Sequence, residues 1–577
     1  MPWAWFVISR VEVHGEMSKV WQILRGRDGP SSPKEEPRIR KEEALEEISG
    51  IIDTYRVPTN GKPEASAEIF VVDDDGVGKY LVRLPRLTEG EKGALETLRA
   101  NLVDSIPADA KGDTREIVSD YVSHTAEVAG LSSLVEESHD KLLYFLMRDF
   151  TGFWEVDPLL NDDNLEEVSV TRYDHPVRVL HRNFSEYMFM ESDIVYPSEE
   201  RLQAFIRRLA QLGGTTVSLA QPSLEVTLHG ASDRRVTATL GDEISRPGST
   251  YAIRKQKERP ITLAQLASSE HARWPAPTLQ PTPEADSSYE EDHSHKTLSV
   301  LMASYFWLLL ERTTNVLIAG ETNSGKTTLM NAILALANPK FKIVTAEDVL
   351  EINLPDHLHW QRLKTRGFRA GLSPAAGRYE YGLPELLKIA LRFSPTILSL
   401  GEMRGEESET VASAITLGFS TMTTIHAENA DRCVQRLTTP PMRFSTGHIR
   451  DITAIATMRK VVLPDGRVVR RVVSVDELRP EGKEGFDVLN VFRYDPTNDS
   501  FAPTTPAEVL DRSFRLNEIA DSFGWSAAAV QKSLAVRAAR ITALIAGGEL
   551  SPEALSRMVL RFSRAETSQG ASSAWNG

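Results

Sequence analysis

The second half of the sequence predicts an α/β fold built on a parallel sheet that is flanked by helices. Short apolar runs rich in β-branched residues alternate with helical segments, beginning with NVLIAG and KTTLMNAILALA. The later runs FKIVTAED, PTILSLGE and STMTTIHA continue that alternation, which is typical of parallel strands joined by helices. A glycine-containing loop separates the first strand from the first helix. The 577 residues are too many for a single core, so we expect several domains.

The first half predicts a smaller α/β arrangement ahead of the parallel sheet. The runs AEIFVV and YLVRL flank Asp75-Gly76, and this dipeptide between β-rich runs indicates a hairpin. A helix is predicted to follow, with Thr88 as its cap. The strands NLEEVSV, PVRVLHR and RRVTATL accompany a helix from Ser198 to Gly214, whose serine start and glycine end are helix-terminus signals.

Two further elements are predicted in the second half. The apolar stretch Thr297–Leu310 has about 14 residues, fewer than the roughly 20 that a membrane-spanning helix needs, so we expect a buried core helix. The run KVVLPDGRVVRRVVSV predicts a hairpin that turns at Pro464-Asp465-Gly466.

Changes in composition predict the domain boundaries. Residues 267–296 are rich in Pro, Ser, Glu and Asp and show little periodicity, which indicates a linker between two halves. The other predicted segments are a flexible or weakly helical lead-in (1–49), an accessory α/β region (50–149), an N-terminal α/β domain (150–266), the parallel-sheet domain (297–480), a mainly helical region (481–565) and a disordered tail (566–577).

Charge and cysteine content narrow the class of protein. The formal net charge is −15 with a pI near 5.5, which argues weakly against a protein that coats nucleic acid. Cys433 is the single cysteine, so an internal disulfide and a thiolate metal site are excluded and a cytoplasmic chain is expected. The first residues lack the basic region and small-residue cleavage site of a signal peptide.

The loop GETNSGKTT matches the Gly-x-x-x-x-Gly-Lys-Thr pattern that holds nucleotide phosphates. Its glycines let the backbone approach phosphate oxygens, and the N–H groups that begin the next helix bind anions. Lys326 is expected on the β- and γ-phosphates and the Thr327 hydroxyl on Mg²⁺. A chance match is the alternative, but a strand precedes the loop and a helix follows it. The predicted nucleotide-binding residues are Gly320, Glu321, Thr322, Asn323, Ser324, Gly325, Lys326, Thr327 and Thr328.

The phosphate loop alone does not name the nucleotide or the reaction. Because the sequence has no Asn-Lys-x-Asp guanine-reading motif, we expect ATP rather than GTP. Hydrolysis needs one acid that organises Mg²⁺ and one that activates water. Glu347 and Glu402 each follow an apolar strand, although either is alternatively a solvated acid in a turn. Gly401 takes the place where such a strand usually ends in Asp. His426 also follows a β-rich run, but a lone histidine is more often structural.

Taken in order, these motifs resemble the type II/type IV secretion ATPase superfamily. The residues that carry the resemblance are GETNSGKTTLMNAI, VTAEDVLEI, LLKIALRFSPTILSLGEMRGEE and TLGFSTMTTIHAENADRCVQRLTTPPM. The archaeal ATPases that assemble type IV pili and the archaellum are the most similar branch. The likeness extends over roughly residues 50 to 565, including STYAIRKQKERPITLAQL before the linker and FRLNEIADSFGWSAAAVQKSL near the end.

The resemblance implies a RecA-like ATPase core at 297–480, preceded by the family's N-terminal domain at 150–266 and followed by a helical extension. It implies a homo-hexameric motor in which ATP lies between the two domains of a subunit. Such a motor powers the assembly of pilus-like filaments, or secretion, through a polytopic membrane platform protein. We therefore expect the chain at the cytoplasmic face of the membrane, with no span of its own and no nucleic-acid partner.

The resemblance also assigns residues by position. Glu347 falls in the family's Asp box and is a candidate for polarising the attacking water, and Glu402 is the Walker B acid that organises Mg²⁺. His426 is the His-box histidine, and Arg254 matches an N-terminal-domain arginine that approaches the phosphates. Phe419 stands where the family often has a second histidine. The weaker arginine candidates are Arg235, Arg366 and Arg404.

Three alternatives stay open on the sequence. The first is a conjugation or effector-secretion ATPase, against which the archaeal-like flanking modules weigh. The second is a nucleic-acid motor, since LNEIADSFGWSAAAVQKSL has the order of a helix-turn-helix. The third is a ring member that binds ATP without hydrolysing it, against which the complete set of Lys326, Glu347 and Glu402 argues.

Overall fold

The computed structural model describes residues 49–59, 62–105, 114–184, 187–228, 233–246, 248–255, 260–268, 297–312, 314–365, 381–464, 468–482 and 485–569. The chain divides into two compact units, Met1–Glu258 and Arg259–Gly577, and each is described by itself. Nearly all of the predicted lead-in and linker lie outside the described residues.

Strands of the first unit form one mixed sheet in the order β1-β2-β3-β6-β5-β4-β9-β8-β7. The strands are β1 (Ile51–Thr59), β2 (Lys62–Asp74), β3 (Val77–Arg83), β4 (Leu165–Val170), β5 (Pro176–His181), β6 (Phe189–Val195), β7 (Ser223–Leu228), β8 (Arg234–Thr239) and β9 (Thr250–Lys255). The helices are α1 (Glu89–Ser105), α2 (Thr114–Ala129), α3 (Ser132–Phe150), α4 (Asp157–Asn161) and α5 (Glu199–Leu212), with a 3-10 turn at Trp154–Val156.

The regions predicted as 50–149 and 150–266 share this sheet. Strand β3 pairs in parallel with β6, with Tyr80 opposite Ser192, and a single buried cluster includes Ile69 from β2 and Val179 from β5. Helices α1 to α3 pack separately around Leu98 and neighbouring apolar residues. One face of β3 and one face of β6 are buried in alternation on this core, and Asp193 of β6 accepts hydrogen bonds from the N–H of Val82 and the guanidinium of Arg83 in β3.

Local sequence signals of the first unit lie where they were expected. Asp75-Gly76 makes the turn between β2 and β3, and both residues have positive φ. The Thr88 side chain accepts a hydrogen bond from the N–H of Glu91 at the start of α1. The Ser198 side chain caps α5 in the same way. These hairpin and capping predictions are confirmed.

Strands of the second unit form another sheet, in the order β12-β11-β13-β14-β10-β15-β16-β17-β18. The strands are β10 (Val316–Gly320), β11 (Ile343–Glu347), β12 (Trp360–Lys364), β13 (Ile397–Leu400), β14 (Ser420–Ile425), β15 (Ala454–Val462), β16 (Val468–Glu481), β17 (Gly485–Asp495) and β18 (Ser500–Ala502). The helices are α6 (Leu263–Ala267), α7 (Val300–Leu310), α8 (Lys326–Leu334), α9 (Leu383–Arg392), α10 (Glu407–Thr416), α11 (Ala430–Thr438), α12 (Thr446–Arg450), α13 (Pro506–Arg512), α14 (Phe514–Phe523), α15 (Ala527–Ala546) and α16 (Pro552–Gln569).

The first six strands in this sheet order, β12-β11-β13-β14-β10-β15, are all parallel. Every residue of β10, β11, β13 and β14 is buried, because helices cover both faces of the sheet. Strands β16, β17 and β18 continue the sheet in antiparallel order. The parallel part, with a glycine loop between β10 and α8, is the RecA-like P-loop fold, which confirms the predicted fold class.

Helix α7 is the buried helix predicted from Thr297–Leu310, since all eleven of its residues are buried. Among the described residues, no helix has both the length and the apolar character that crossing a bilayer requires. Helix α6 packs into the same core as α7, and the Thr262 hydroxyl donates to the carbonyl of Leu550. Residues 260–268 therefore belong to the second unit, whereas the sequence placed the end of the first domain at residue 266.

The region predicted as mainly helical, 481–565, begins with strands β17 and β18 before its four helices. Val491 and Phe492 of β17 are buried in the core that contains α7. Helix α16 continues to Gln569, beyond the start of the predicted tail at 566. Helices α14 and α15 have the order of a helix-turn-helix, but α15 is a packing helix, because its buried Leu534 and Ile541 lie in the same core.

Candidate functional site

Four neighbouring parallel strands bring the predicted site residues of the second unit to one edge of the sheet. Gly320 ends β10 and Glu347 ends β11, while Glu402 and His426 follow β13 and β14. These strands are adjacent in the order β11-β13-β14-β10. Because the carboxyl ends of parallel strands share an edge, side chains as far as 100 residues apart in sequence come into contact there.

The phosphate loop is shaped by its two glycines. Gly325 has φ +96°, a left-handed conformation that a residue with a side chain rarely adopts, and it is the N-cap of α8. A Cβ atom on Gly320 would lie 2.5 Å from the carbonyl oxygen of Met458, and one on Gly325 would lie 3.1 Å from the Met458 methyl. Gly320 is therefore required by the close approach of the β15 backbone, and Gly325 chiefly by its left-handed backbone conformation.

Lys326 is the first residue of α8 and is largely buried. Its Nζ donates to the carbonyl of Glu321 at 2.7 Å and lies 3.4 Å from Nδ1 of His426. Thr327 follows Lys326 in the first turn of α8, where the helix has N–H groups without intrahelical acceptors. A cradle of glycines, a buried ammonium and a helix N-terminus fit a bound phosphate chain.

His426 joins Lys326 to Glu402. Its Nε2 lies 3.0 Å from Oε1 of Glu402, while Nδ1 faces the lysine ammonium. Since an ammonium only donates, Nδ1 accepts from Lys326, so the proton of the neutral ring is on Nε2, which faces Oε1 of Glu402 without the geometry of a hydrogen bond. Partial burial, and next the charge of Lys326, lower the pKa of His426, and Glu402 opposes them. The neutral ring thus lies between the phosphate-loop cation and the carboxylate of Glu402.

Glu347 is 1% exposed and its carboxylate organises the loop after β11. Its Oε1 accepts hydrogen bonds from the N–H groups of Glu351 and Ile352, each at 2.7 Å, and Nε of Arg362 lies 3.5 Å from Oε2. Burial raises the pKa of Glu347 to about 7, against the opposing effect of those hydrogen bonds and of Arg362. A carboxyl group that titrates near neutrality has the property expected of a general base.

The glycine at position 401 has a steric explanation. A Cβ atom there would lie 3.3 Å from Cγ of Glu347, which extends from the neighbouring strand. The Gly401 carbonyl accepts from the Thr424 hydroxyl at 2.8 Å, which ties the ends of β13 and β14 together. The Glu347 side chain therefore takes the space that an aspartate at 401 would need.

Two neighbours hold Glu402 and its loop. The Arg404 guanidinium pairs with Oε2 of Glu402, and its own side chain is mostly exposed. Oε1 of Glu407, which is buried, accepts from the N–H groups of Arg404 and, at 2.7 Å, Gly405. Sequence analysis missed Glu407, although an acid in the first turn of a predicted helix is a recognisable signal.

Residues 296–467 match a family model described as type II/IV secretion system protein. The Methanocaldococcus jannaschii protein MJ1287 is 35% identical over 244 residues, which cover 42% of this chain and 86% of MJ1287. The chain belongs to the type II/IV secretion system protein family.

Two further relatives are matched over only part of their own length. The Methanocaldococcus jannaschii protein MJ0900 is 31% identical over 368 residues, covering 63% of this chain and 60% of MJ0900. The type IV secretion system protein PtlH of Bordetella pertussis is 36% identical over 161 residues, covering 27% of this chain and 45% of PtlH. The chain thus spans less than two thirds of the length of both proteins.

The other predicted residues belong to the first unit, to the opposite end of β14 or to the residues outside the described ranges. In the first unit of this secretion-family chain, Arg254 of β9 lies opposite Glu167 of β4 and Arg235 of β8. Arg366 lies outside the described residues. Phe419 precedes β14 and packs in the core, so the length of the strand, about 20 Å at roughly 3.3 Å per residue, separates it from His426.

Proposed function

We propose that this secretion-family chain hydrolyses ATP and uses the energy for mechanical work on a membrane-associated machine. The observation that carries the proposal is the continuous contact from Lys326 through His426 to Glu402 at the carboxyl ends of adjacent parallel strands. This arrangement puts a phosphate-binding cation, a neutral imidazole and a carboxylate at one place. A P-loop that served only to bind phosphate would not need the last two groups.

Each group has a role in this proposal. The backbone from Gly320 to Thr328 cradles the phosphates, and Lys326 neutralises charge on the β- and γ-phosphates. Thr327 and Glu402 would hold Mg²⁺, which neutralises phosphate charge and orients the leaving group when it is bound. His426 would lie between these two groups, with Nδ1 accepting from Lys326 and Nε2 3.0 Å from Oε1 of Glu402.

Glu347 is the proposed general base. Its pKa of about 7 means that a large share of the group is deprotonated at neutral pH and still basic enough to accept a proton from water. The main-chain N–H groups that bind Oε1 hold the side chain in place, and Oε2 is the oxygen proposed to face the water.

The mechanical part of the proposal rests on family membership. Arg254 of the first unit would meet the γ-phosphate bound on the second unit, so that ATP closes the two units and hydrolysis lets them open. In a homo-hexameric ring, these movements would pass to a polytopic platform protein at the cytoplasmic face of the membrane. The proposed product is a type IV pilus-like filament, either an adhesive pilus or an archaellum.

A second candidate is a motor of a type IV secretion system that transfers effectors or DNA. The 36% identity to PtlH favours it, although that match covers 27% of this chain. The two candidates share the same site chemistry and differ in the membrane partner. Capture of a platform protein from membranes of the source cell would separate them.

The first experiment measures phosphate release and solution mass together. The wild-type chain should release phosphate from ATP with Mg²⁺, and a non-hydrolysable ATP analogue should move its mass toward about six subunits by light scattering. Glu402→Gln keeps the size of the side chain but loses its charge, so turnover should fall by about a hundredfold while nucleotide binding persists. Wild-type turnover in this variant would remove Glu402 from the site. A wild-type chain that binds ATP without releasing phosphate would contradict the proposed activity.

A further inference from the structure

The hairpin of β15 and β16 lies directly against the phosphate loop. Nε of Arg470, in β16, donates to the carbonyl of Asn323 at 3.1 Å, across 147 residues of sequence. A Cβ atom on Gly325 would lie 3.5 Å from Cδ of Arg470 and 3.1 Å from the methyl of Met458 in β15. One charged side chain of the hairpin, Arg470, therefore contacts the loop at Asn323 and lies near Gly325, and one apolar side chain, Met458, lies near Gly325.

The peptide unit between Asn323 and Ser324 is held at both of its ends. Its carbonyl accepts from Arg470, and its N–H, which belongs to Ser324, lies 3.3 Å from the carbonyl of Glu321. Because a trans peptide is planar and its C=O and N–H point in opposite directions, the two contacts together fix the orientation of the plane.

That orientation matters for binding an anion. Asn323 has φ +59°, a conformation that costs free energy for a residue with a side chain and persists only when its surroundings hold it. A phosphate loop works because successive N–H groups point inward and carbonyl groups point away from the phosphates. If this peptide rotated, it would turn the Asn323 carbonyl toward the anion, and the repulsion would weaken binding.

We propose that Arg470 is a positioning residue of the nucleotide site, which keeps the phosphate loop in its binding conformation by holding the Asn323 carbonyl. The inference rests on the proposed ATP binding and adds a residue that no motif assigns. Arg470 acts through the loop backbone and not by touching the nucleotide. Its loss should therefore weaken nucleotide binding more than it slows the chemical step.

The same hairpin also reaches the loop that follows His426. Nη2 of Arg459, in β15, donates to the carbonyl of Glu428 at 2.9 Å. Arg470 lies opposite Lys460, the residue after Arg459, in the β15–β16 pairing. The two paired strands thus contact both the phosphate loop and the loop after His426, and Arg470 supplies the side-chain hydrogen bond to the carbonyl of Asn323.

The test compares Arg470→Met with Arg479→Met in the full chain. Arg479 lies on the same strand and forms an exposed ion pair with Asp487, so it matches Arg470 in residue type and strand but not in position. Binding of a fluorescent ATP analogue with Mg²⁺ gives Kd, steady-state phosphate release gives kcat and KM, and thermal unfolding without nucleotide reports on the fold.

We expect Arg470→Met to raise Kd and KM about tenfold, the size expected for one charge-assisted hydrogen bond, while kcat at saturating ATP changes by less than about twofold. The unfolding temperature without nucleotide should stay within about 3 °C of wild type. Arg479→Met should bind and turn over ATP like wild type. Arg470→Lys keeps the charge but loses the Nε donor, so its Kd should lie between those of the wild type and Arg470→Met.

Three outcomes decide the matter. Equal Kd in wild type and Arg470→Met overturns the positioning role, as does a fall in kcat with Kd unchanged. If Arg470→Met does not fold, Arg470→Lys decides by the same criterion, and wild-type affinity in that variant also overturns the role of the Nε donor. If the wild-type chain itself does not bind the analogue, it is the proposed function that fails, so the two failures are distinguishable.

Discussion

Each unit of the chain brings a lysine, a histidine and a carboxylate together, but in different surroundings. In the first unit, the Tyr55 hydroxyl donates to Oδ2 of Asp162 at 2.7 Å and lies 3.1 Å from Nε2 of His181. Lys255 donates to the main-chain carbonyls of Leu159 and Asp162. In the second unit, Lys326, His426 and Glu402 meet beside a glycine loop.

The two clusters differ in the hydrogen-bond partners and in the exposure of their polar side chains. Asp162, His181 and Lys255 are all buried in the first unit, and their hydrogen-bond partners are tyrosines or main-chain atoms. Burial lowers the pKa of Lys255 to about 7 and lowers the pKa of His181. In the second unit, the side chains of Glu402 and His426 are 21% and 30% exposed. The same residue types therefore hold a fold together in one unit and form an accessible site in the other.

The largest expected effect is on the activity of the second unit. Lys326→Ala removes the ammonium that neutralises phosphate charge, so phosphate release should fall by at least about a hundredfold. The fold should survive, since the ammonium contacts the Glu321 carbonyl and Nδ1 of His426 within the site, and the unfolding temperature should stay within about 3 °C. Phosphate release by this variant at the wild-type rate would contradict the assignment of the loop to phosphate binding.

The second effect is on the stability of the first unit. Asp162→Ala leaves the buried hydroxyl of Tyr80 and that of Tyr55 without their shared acceptor, so the free energy of unfolding should fall by about 3 kcal/mol. Urea unfolding of the full chain, followed by tyrosine and tryptophan fluorescence, measures it. Asp174→Ala is the matched control, because Asp174 pairs with Arg172 at an exposed site and should matter little. Equal loss in both variants would contradict the structural role of Asp162.

The smallest effect is the response of activity to pH. Because the pKa of Glu347 is raised to about 7, the basic form is the minor one below that pH and the major one above it. Phosphate release should therefore rise about tenfold between pH 6 and pH 8 if Glu347 is the base. Glu347→Gln should be slow and lose this rise. A wild-type profile that is flat across that range would show that another group accepts the proton.

Sequence reasoning succeeded where the signal is local. The phosphate loop, the Thr88 and Ser198 caps and the Asp75-Gly76 turn depend on residues a few positions apart. The buried helix α7 was also predictable, since an apolar stretch of that length has few other stable places in a protein. Strand alternation and motif order were enough to predict the RecA-like fold and the family.

The remaining features of the fold depend on contacts between residues that are far apart in the sequence. The sequence could not show that β3 joins β6 across more than 100 residues, that α6 packs with α7, or that β17 and β18 extend the second sheet, because each depends on an edge or a core formed elsewhere.

At the site, the sequence by itself determined which residues could bind phosphate and supply acid groups, because those chemical properties belong to the side chains. Only the tertiary structure decided that His426 lies between Lys326 and Glu402, and that Arg470 supports the loop from 147 residues away. The physical reason is that parallel strands bring their carboxyl ends to one edge whatever their separation in sequence, and no local pattern records which side chains meet there.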